Sequence, residues 1–153
     1  MLEHVSASVR FITDRGVTHE LVRHRLCSFS QESTRYIKYK DEIEFVEPVW
    51  WNDVNYSAEQ KRIWLEAMRV AEELYHAALA AGDKPEQARS ILPNAVKTEI
   101  VATANLREWR HVFHMRASPK AHPQMRALML DCLQGFAKEI PVIFDDLLKL
   151  CLS

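Results

Sequence analysis

Glycine is scarce in this sequence, with three residues among 153, and proline occurs only six times. Fibrous repeats and low-complexity chains need far more of both, so an ordinary globular chain is expected. The few glycines never fall into GxGxxG or GxxxxGKS/T, which removes the dinucleotide fingerprint and the phosphate loop. Cysteine is equally sparse. Cys27, Cys132 and Cys151 are odd in number and form no CxxC pair, so neither a disulfide framework nor a zinc site is expected, and a reducing cytoplasm fits best. Histidine supplies no metal set either: His76, His114 and His122 stand alone, without an HxxxH pair. Nothing approaches the roughly 20 apolar residues of a membrane span. The opening MLEHVSASVRF lacks the charged-then-apolar pattern of a signal peptide and reads as a strand already under way. Charge of one sign is also missing. The net charge of −1 argues against a nucleic-acid partner held by bulk electrostatics, so any anion site must come from local clustering of arginine.

What is present suits one domain with a real core, since 48% of residues are apolar and 27% charged. Residues 4–12 alternate as a half-buried strand, and 14–16 read as a turn. Residues 17–26 predict a short helix, and 34–47 lean towards a strand ended by Pro48. Ser57 with Gln60 forms a capping box for a long amphipathic helix to about residue 81, with Ile63, Ala67, Met68, Ala71, Leu74, Tyr75 and Ala78 on one stripe. Gly82 suits the position after its end. Asp83 with Glu86 opens a short helix before Pro93. Residues 95–104 predict a strand, and Asn105 with Glu108 caps a helix to about Met115. Ser118 and Pro119 open another helix, and Pro141 a last one. The expected class is α+β: an antiparallel or mixed sheet with packed helices, in a single domain over 1–153 without repeat or linker.

The stretch RHRLCSFSQESTRY, residues 23–36, concentrates chemistry. Adjacent cations repel, so Arg23, His24 and Arg25 side by side are poorly explained by a solvated face. Consecutive helical residues point about 100° apart, so Arg23 and Arg25 are expected on roughly opposite sides, serving two ligands or two subunits. Ser28, Ser30, Gln31, Ser33 and Thr34 follow with hydrogen-bonding groups on a loop, and Arg35 adds a fork suited to phosphate. A phosphorylated, polar ligand fits; a surface helix with incidental charge is the competing reading. In NLREWRHVFHMR, residues 105–116, Arg107, His111 and Met115 share one helix face. Asn105 sits at the helix start, where anions are attracted, and Arg116 ends it, where a cation also serves the dipole alone. Arg89 in PEQARSILP is either a further anion contact or a solvated residue. Trp50-Trp51 and Cys27 are read as packing.

Arg23-His24-Arg25, seven residues, then Ser33 resembles the signature of flavin-dependent thymidylate synthases. The resemblance continues through Ser33-Thr34-Arg35-Tyr36, EQARSILP and NLREWRHVFHMR, then Ala121 to Arg126, and spans essentially the whole chain. It implies synthesis of dTMP from dUMP, with methylenetetrahydrofolate as carbon donor and NADPH as reductant through FAD. It implies homotetramers whose active sites lie where subunits meet. Residues matching Arg23, His24, Arg25, Gln31, Asn105, Leu106, Arg107 and His111 contact FAD. Those matching Glu20, Leu21, Val22, Arg23, Gln31, Glu32, Ser33, Thr34, Arg35, Arg89 and Arg116 contact dUMP, and Arg116 is the catalytic arginine that polarises the uracil ring. His111 stands where the family usually has Asn, and Glu20 where it often has Gln. A carboxylate beside dUMP repels its phosphate, so Glu20 is expected to point elsewhere, to be neutralised by an arginine, or to weaken the site. The family's usual N-terminal segment, with further flavin contacts, is expected to be missing before residue 4. Competing readings are a catalytically deficient flavin- or nucleotide-binding module, and an oligomerisation domain whose arginines pair between subunits.

Overall fold

The computed structural model describes residues 1–35, 39 and 42–153. It has the expected α+β class. Strands β1 (Ser6–Asp14), β2 (Ser28–Gln31) and β3 (Lys97–Asn105) form a sheet of order β1-β3-β2. The Ser8 and Thr103 hydroxyls meet at 2.7 Å, and Arg15 N–H donates to the Val96 carbonyl, so β1 and β3 run antiparallel. The helices are α1 (Arg15–Leu21), α2 (Ala58–Ala80), α3 (Pro85–Ala88), α4 (Leu106–Arg116), α5 (Pro123–Glu139) and α6 (Pro141–Leu152). Residues form two compact units: 1–10, 21–29 and 101–153 in the first; 11–20 and 30–100 in the second.

In the first unit, the Asn105 side-chain oxygen accepts the Glu108 N–H at 2.9 Å, the cap expected for α4. That helix turns Trp109, Val112 and Phe113 fully inward. Met125, Met129 and Leu133 of α5 follow at four-residue steps, and Phe144 and Leu147 of α6 complete the face. Trp109 stacks on Phe113 at 5.4 Å, while Phe136 meets Phe113 and Phe144 edge-on. Trp109 Nε1–H donates to the Ala7 carbonyl at 3.0 Å, which ties α4 to β1. The helix expected at Ser118 starts instead at Pro123. Residues 118–121 close a turn, Ala121 N–H to the Ser118 carbonyl, and Pro123 takes the first helical position, where its missing N–H costs nothing.

In the second unit, the expected turn at 14–16 is the end of β1 followed directly by α1. Asp14 caps that helix by accepting the Val17 N–H at 2.8 Å. Gly16 belongs there because a Cβ would sit 3.0 Å from the capping oxygen and 3.6 Å from Asn94 Cβ. The helix α2 has the expected capping box, Gln60 N–H to Ser57 Oγ and Ser57 N–H to Gln60 Oε1, and ends before Gly82 at φ +108°. Of its apolar stripe, Tyr75 joins Ile43, Ala88 and Val96 in a core, whereas Ile63 and Leu74 stay more than half exposed at 56% and 52%. The cap of α3 is Lys84, not Asp83, because Pro85 takes the first helical position and Gln87 accepts the Lys84 N–H. Within the β-leaning stretch 34–47, residues 36–38, 40 and 41 lie outside the described residues; of the rest, only Phe45 pairs, in a bridge to Val96.

Two local expectations near the arginine stretch change. The helix predicted over 17–26 spans only Arg15–Leu21, and residues 28–31, read as loop, are strand β2. After α1 the chain turns twice, His24 N–H to the Leu21 carbonyl at 3.1 Å and Cys27 N–H to the His24 carbonyl at 3.0 Å. Those tight turns leave no room for a continuing helical ladder.

Candidate functional site

The turns after α1 have a direct consequence in the first unit. Arg23 and Arg25 no longer leave a helix on opposite sides. Both line one cavity of about 600 Å³, with His24, Leu26, Arg107, Glu108, His111, Met115 and Arg116. The face predicted for α4 holds, since Arg107, His111 and Met115 all reach this wall. Four guanidiniums thus share one space with a single carboxylate, Glu108, among the described lining residues. Asn105 contributes through its cap, and Leu106 is buried beneath the helix start. Leu21 is fully buried and Val22 exposed.

His24 is the hub. Only 7% of it is exposed. Arg116 Nε–H donates to His24 Nε2 at 3.0 Å, Glu108 Oε1 lies 3.7 Å from His24 Nδ1, and the His111 ring meets it edge-on at 5.7 Å. Burial, with Arg116 and His111 beside it, pushes the His24 imidazole down from 6.5 to about 4. His24 is therefore neutral near pH 7. Cys27 is pushed the other way, up to about 11, by burial and then by Glu108, so it is a thiol rather than a nucleophilic thiolate. A depressed imidazole makes the unfolded chain the better proton acceptor below pH 6.5. Stability is expected to be full above about pH 6.5 and to fall as the pH drops towards 4, by on the order of 3 kcal/mol. Urea denaturation at stepped pH checks this; His24→Asn should flatten that part of the slope, and an equally steep variant would refute it.

The ligating atoms of His24, Glu108 and His111 lie within 4.8 Å of one another. His24 Nε2 already receives Arg116, and four guanidiniums repel a cation, so the donor set suits an anion better. It fits a flavin dinucleotide: forks for a pyrophosphate, a neutral buried imidazole, and His111 with Met115 as exposed, polarisable surfaces for a flat ring.

The second unit holds the remaining predicted residues. Gln31 Nε2 donates to Thr18 Oγ1 at 2.9 Å and Thr98 Oγ1 at 3.3 Å, and Arg15 reaches Thr98 at 3.4 Å. Thr18 and Thr98 are buried. Arg89 Nη1 donates to Thr34 Oγ1 at 3.5 Å, although 55 residues separate them. Arg35 lies 3.7 Å from Glu86, and its N–H donates to Ser33 Oγ at 3.2 Å. Glu20 and Glu32 are half-buried, while Arg35 and Arg89 are exposed. Sequence reading missed Glu108 as a wall residue because its role in the α4 cap already explained it; its spacing three before His111 was the available signal. Thr18 and Thr98 carried no signal.

An α+β chain that gathers four guanidiniums around one cavity has a site whose chemistry suits polyanionic ligands. More particularly, this chain belongs to the Thymidylate synthase complementing protein family, whose model matches residues 1–142. It is 39% identical to proteins of Mycobacterium bovis and Mycobacterium tuberculosis, and 36% identical to one of Corynebacterium efficiens, each named flavin-dependent thymidylate synthase. The match covers 95% of this chain and 63% of each relative, so the chain spans under two thirds of their length.

Proposed function

We propose that this protein methylates dUMP to dTMP, with methylenetetrahydrofolate as carbon donor and NADPH as reductant through FAD. The observation that carries the reading is the cavity of the first unit, where Arg23, Arg25, Arg107 and Arg116 meet neutral His24. FAD brings a pyrophosphate and dUMP a phosphate dianion, and both demand forked cations. In this reading Arg23, His24, Arg25, Gln31, Asn105, Leu106, Arg107 and His111 hold FAD. When bound, FAD supplies the hydride chemistry, so no cysteine nucleophile is needed. Glu20 to Arg23, Gln31 to Arg35, Arg89 and Arg116 hold dUMP, and Arg116 polarises its uracil ring. The working form is a homotetramer with sites between subunits, a role suited to the apolar Ile63 and Leu74 that α2 leaves exposed. Three free thiols suit the cytoplasm. No helix among the described residues is long and apolar enough to cross a membrane.

The test is direct. Purified protein should show flavin absorbance, oxidise NADPH faster with dUMP, and form dTMP with methylenetetrahydrofolate. A yellow protein that makes no dTMP points to a binding-only module; one that takes up no flavin at all ends the reading. Within the second unit, Arg35→Ala is expected to weaken dUMP binding by on the order of 2 kcal/mol, the loss of a charge-assisted contact. Calorimetric titration with dUMP checks it, and an unchanged affinity would remove Arg35 from the phosphate site.

A further inference from the structure

The contact between Arg116 and His24 fixes more than a distance. A guanidinium Nε–H only donates. At 3.0 Å it must therefore meet a lone pair on His24 Nε2. A neutral imidazole carries one proton, so that proton sits on Nδ1. The Nδ1 form is the less favoured tautomer of a free side chain, and something must select it. Glu108 is placed to do so. Its Oε1 lies 3.7 Å from Nδ1, both side chains are more than nine-tenths buried, and its backbone is pinned by the Asn105 cap at 2.9 Å. That separation is electrostatic rather than a full hydrogen bond.

We propose that Glu108 is a positioning residue: its carboxylate selects the Nδ1–H tautomer of His24, whose Nε2 then receives Arg116 Nε–H and sets the guanidinium plane at the cavity wall. The significance of that plane for turnover rests on the thymidylate synthase reading; the tautomer does not. Neutrality of His24 near pH 7 agrees, since a protonated ring would have no lone pair to offer.

The experiment uses the purified chain labelled with ¹⁵N-histidine, in which long-range proton–nitrogen correlations distinguish the two tautomers. His24→Gln identifies the His24 signal among the seven histidines. Wild type at pH 7 is expected to show the Nδ1–H form. Glu108→Leu is expected to shift the balance towards Nε2–H by on the order of tenfold, and Glu108→Gln, which keeps an accepting oxygen but loses the charge, by less. An Nε2–H wild type, or a Glu108→Leu protein with the wild-type tautomer, overturns the proposal. In turnover, Glu108→Leu should lower kcat by on the order of tenfold with little change in KM for dUMP. Combined with Arg116→Ala it should add almost nothing, because both act through one contact; additive losses would overturn the coupling. A protein with the expected tautomers that makes no dTMP refutes the activity instead, and leaves the positioning role standing.

Discussion

Arg116→Ala is expected to lower dTMP formation by on the order of 10²- to 10³-fold, mostly in kcat. The reason lies in where charge develops. In the proposed reaction the uracil ring must become electron-rich, through loss of its N3 proton, to attack the carbon donor, and a guanidinium held beside it stabilises that charge as it develops. The value of such a group depends on its being fixed in advance, and here the Nε contact to buried His24 fixes it. Arg116→Lys keeps a charge but loses the Nε–H fork, so it should recover only part of the rate. Single-turnover measurement of dTMP, with dUMP affinity followed separately, checks the assignment. A variant with wild-type kcat would place the catalytic charge elsewhere.

The second large effect is on stability. Trp109→Ala is expected to cost on the order of 4 kcal/mol. Trp109 is fully buried, stacks on Phe113 at 5.4 Å and touches Phe136 at 5.3 Å, so its removal opens a cavity that these two aromatic rings must collapse to fill. It also leaves the Ala7 carbonyl without its indole donor. Urea denaturation followed by circular dichroism measures the loss; a change below about 1 kcal/mol would mean that the first unit is not organised around this residue.

Legibility in the sequence followed locality. The α2 capping box, the stop before Gly82 and the Asn105 cap were visible because each joins residues a few positions apart. The shared face of Arg107, His111 and Met115 followed from helical spacing alone. The one-cavity arrangement of Arg23 and Arg25 did not, because a helix extended through Arg25 gave the opposite geometry, and two turn hydrogen bonds decided the matter. Strand β2 hid in Ser-Phe-Ser-Gln, whose polar composition outweighed its alternation. Contacts between distant positions were beyond reach: Trp109 with Ala7 across 102 residues, Arg116 with His24 across 92. The competition for Glu108, between cap and cavity, was hidden too, since one explanation of a residue conceals another.

The placement of the four tryptophans gives each unit its own optical reporter. Trp109 alone belongs to the first unit, fully shielded from water, while Trp50, Trp51 and Trp64 belong to the second and are half-exposed. A Trp109→Phe protein would emit only from the second unit, and a protein keeping Trp109 alone would emit only from the first. Denaturation midpoints read from the two would show whether the chain melts in one step or two.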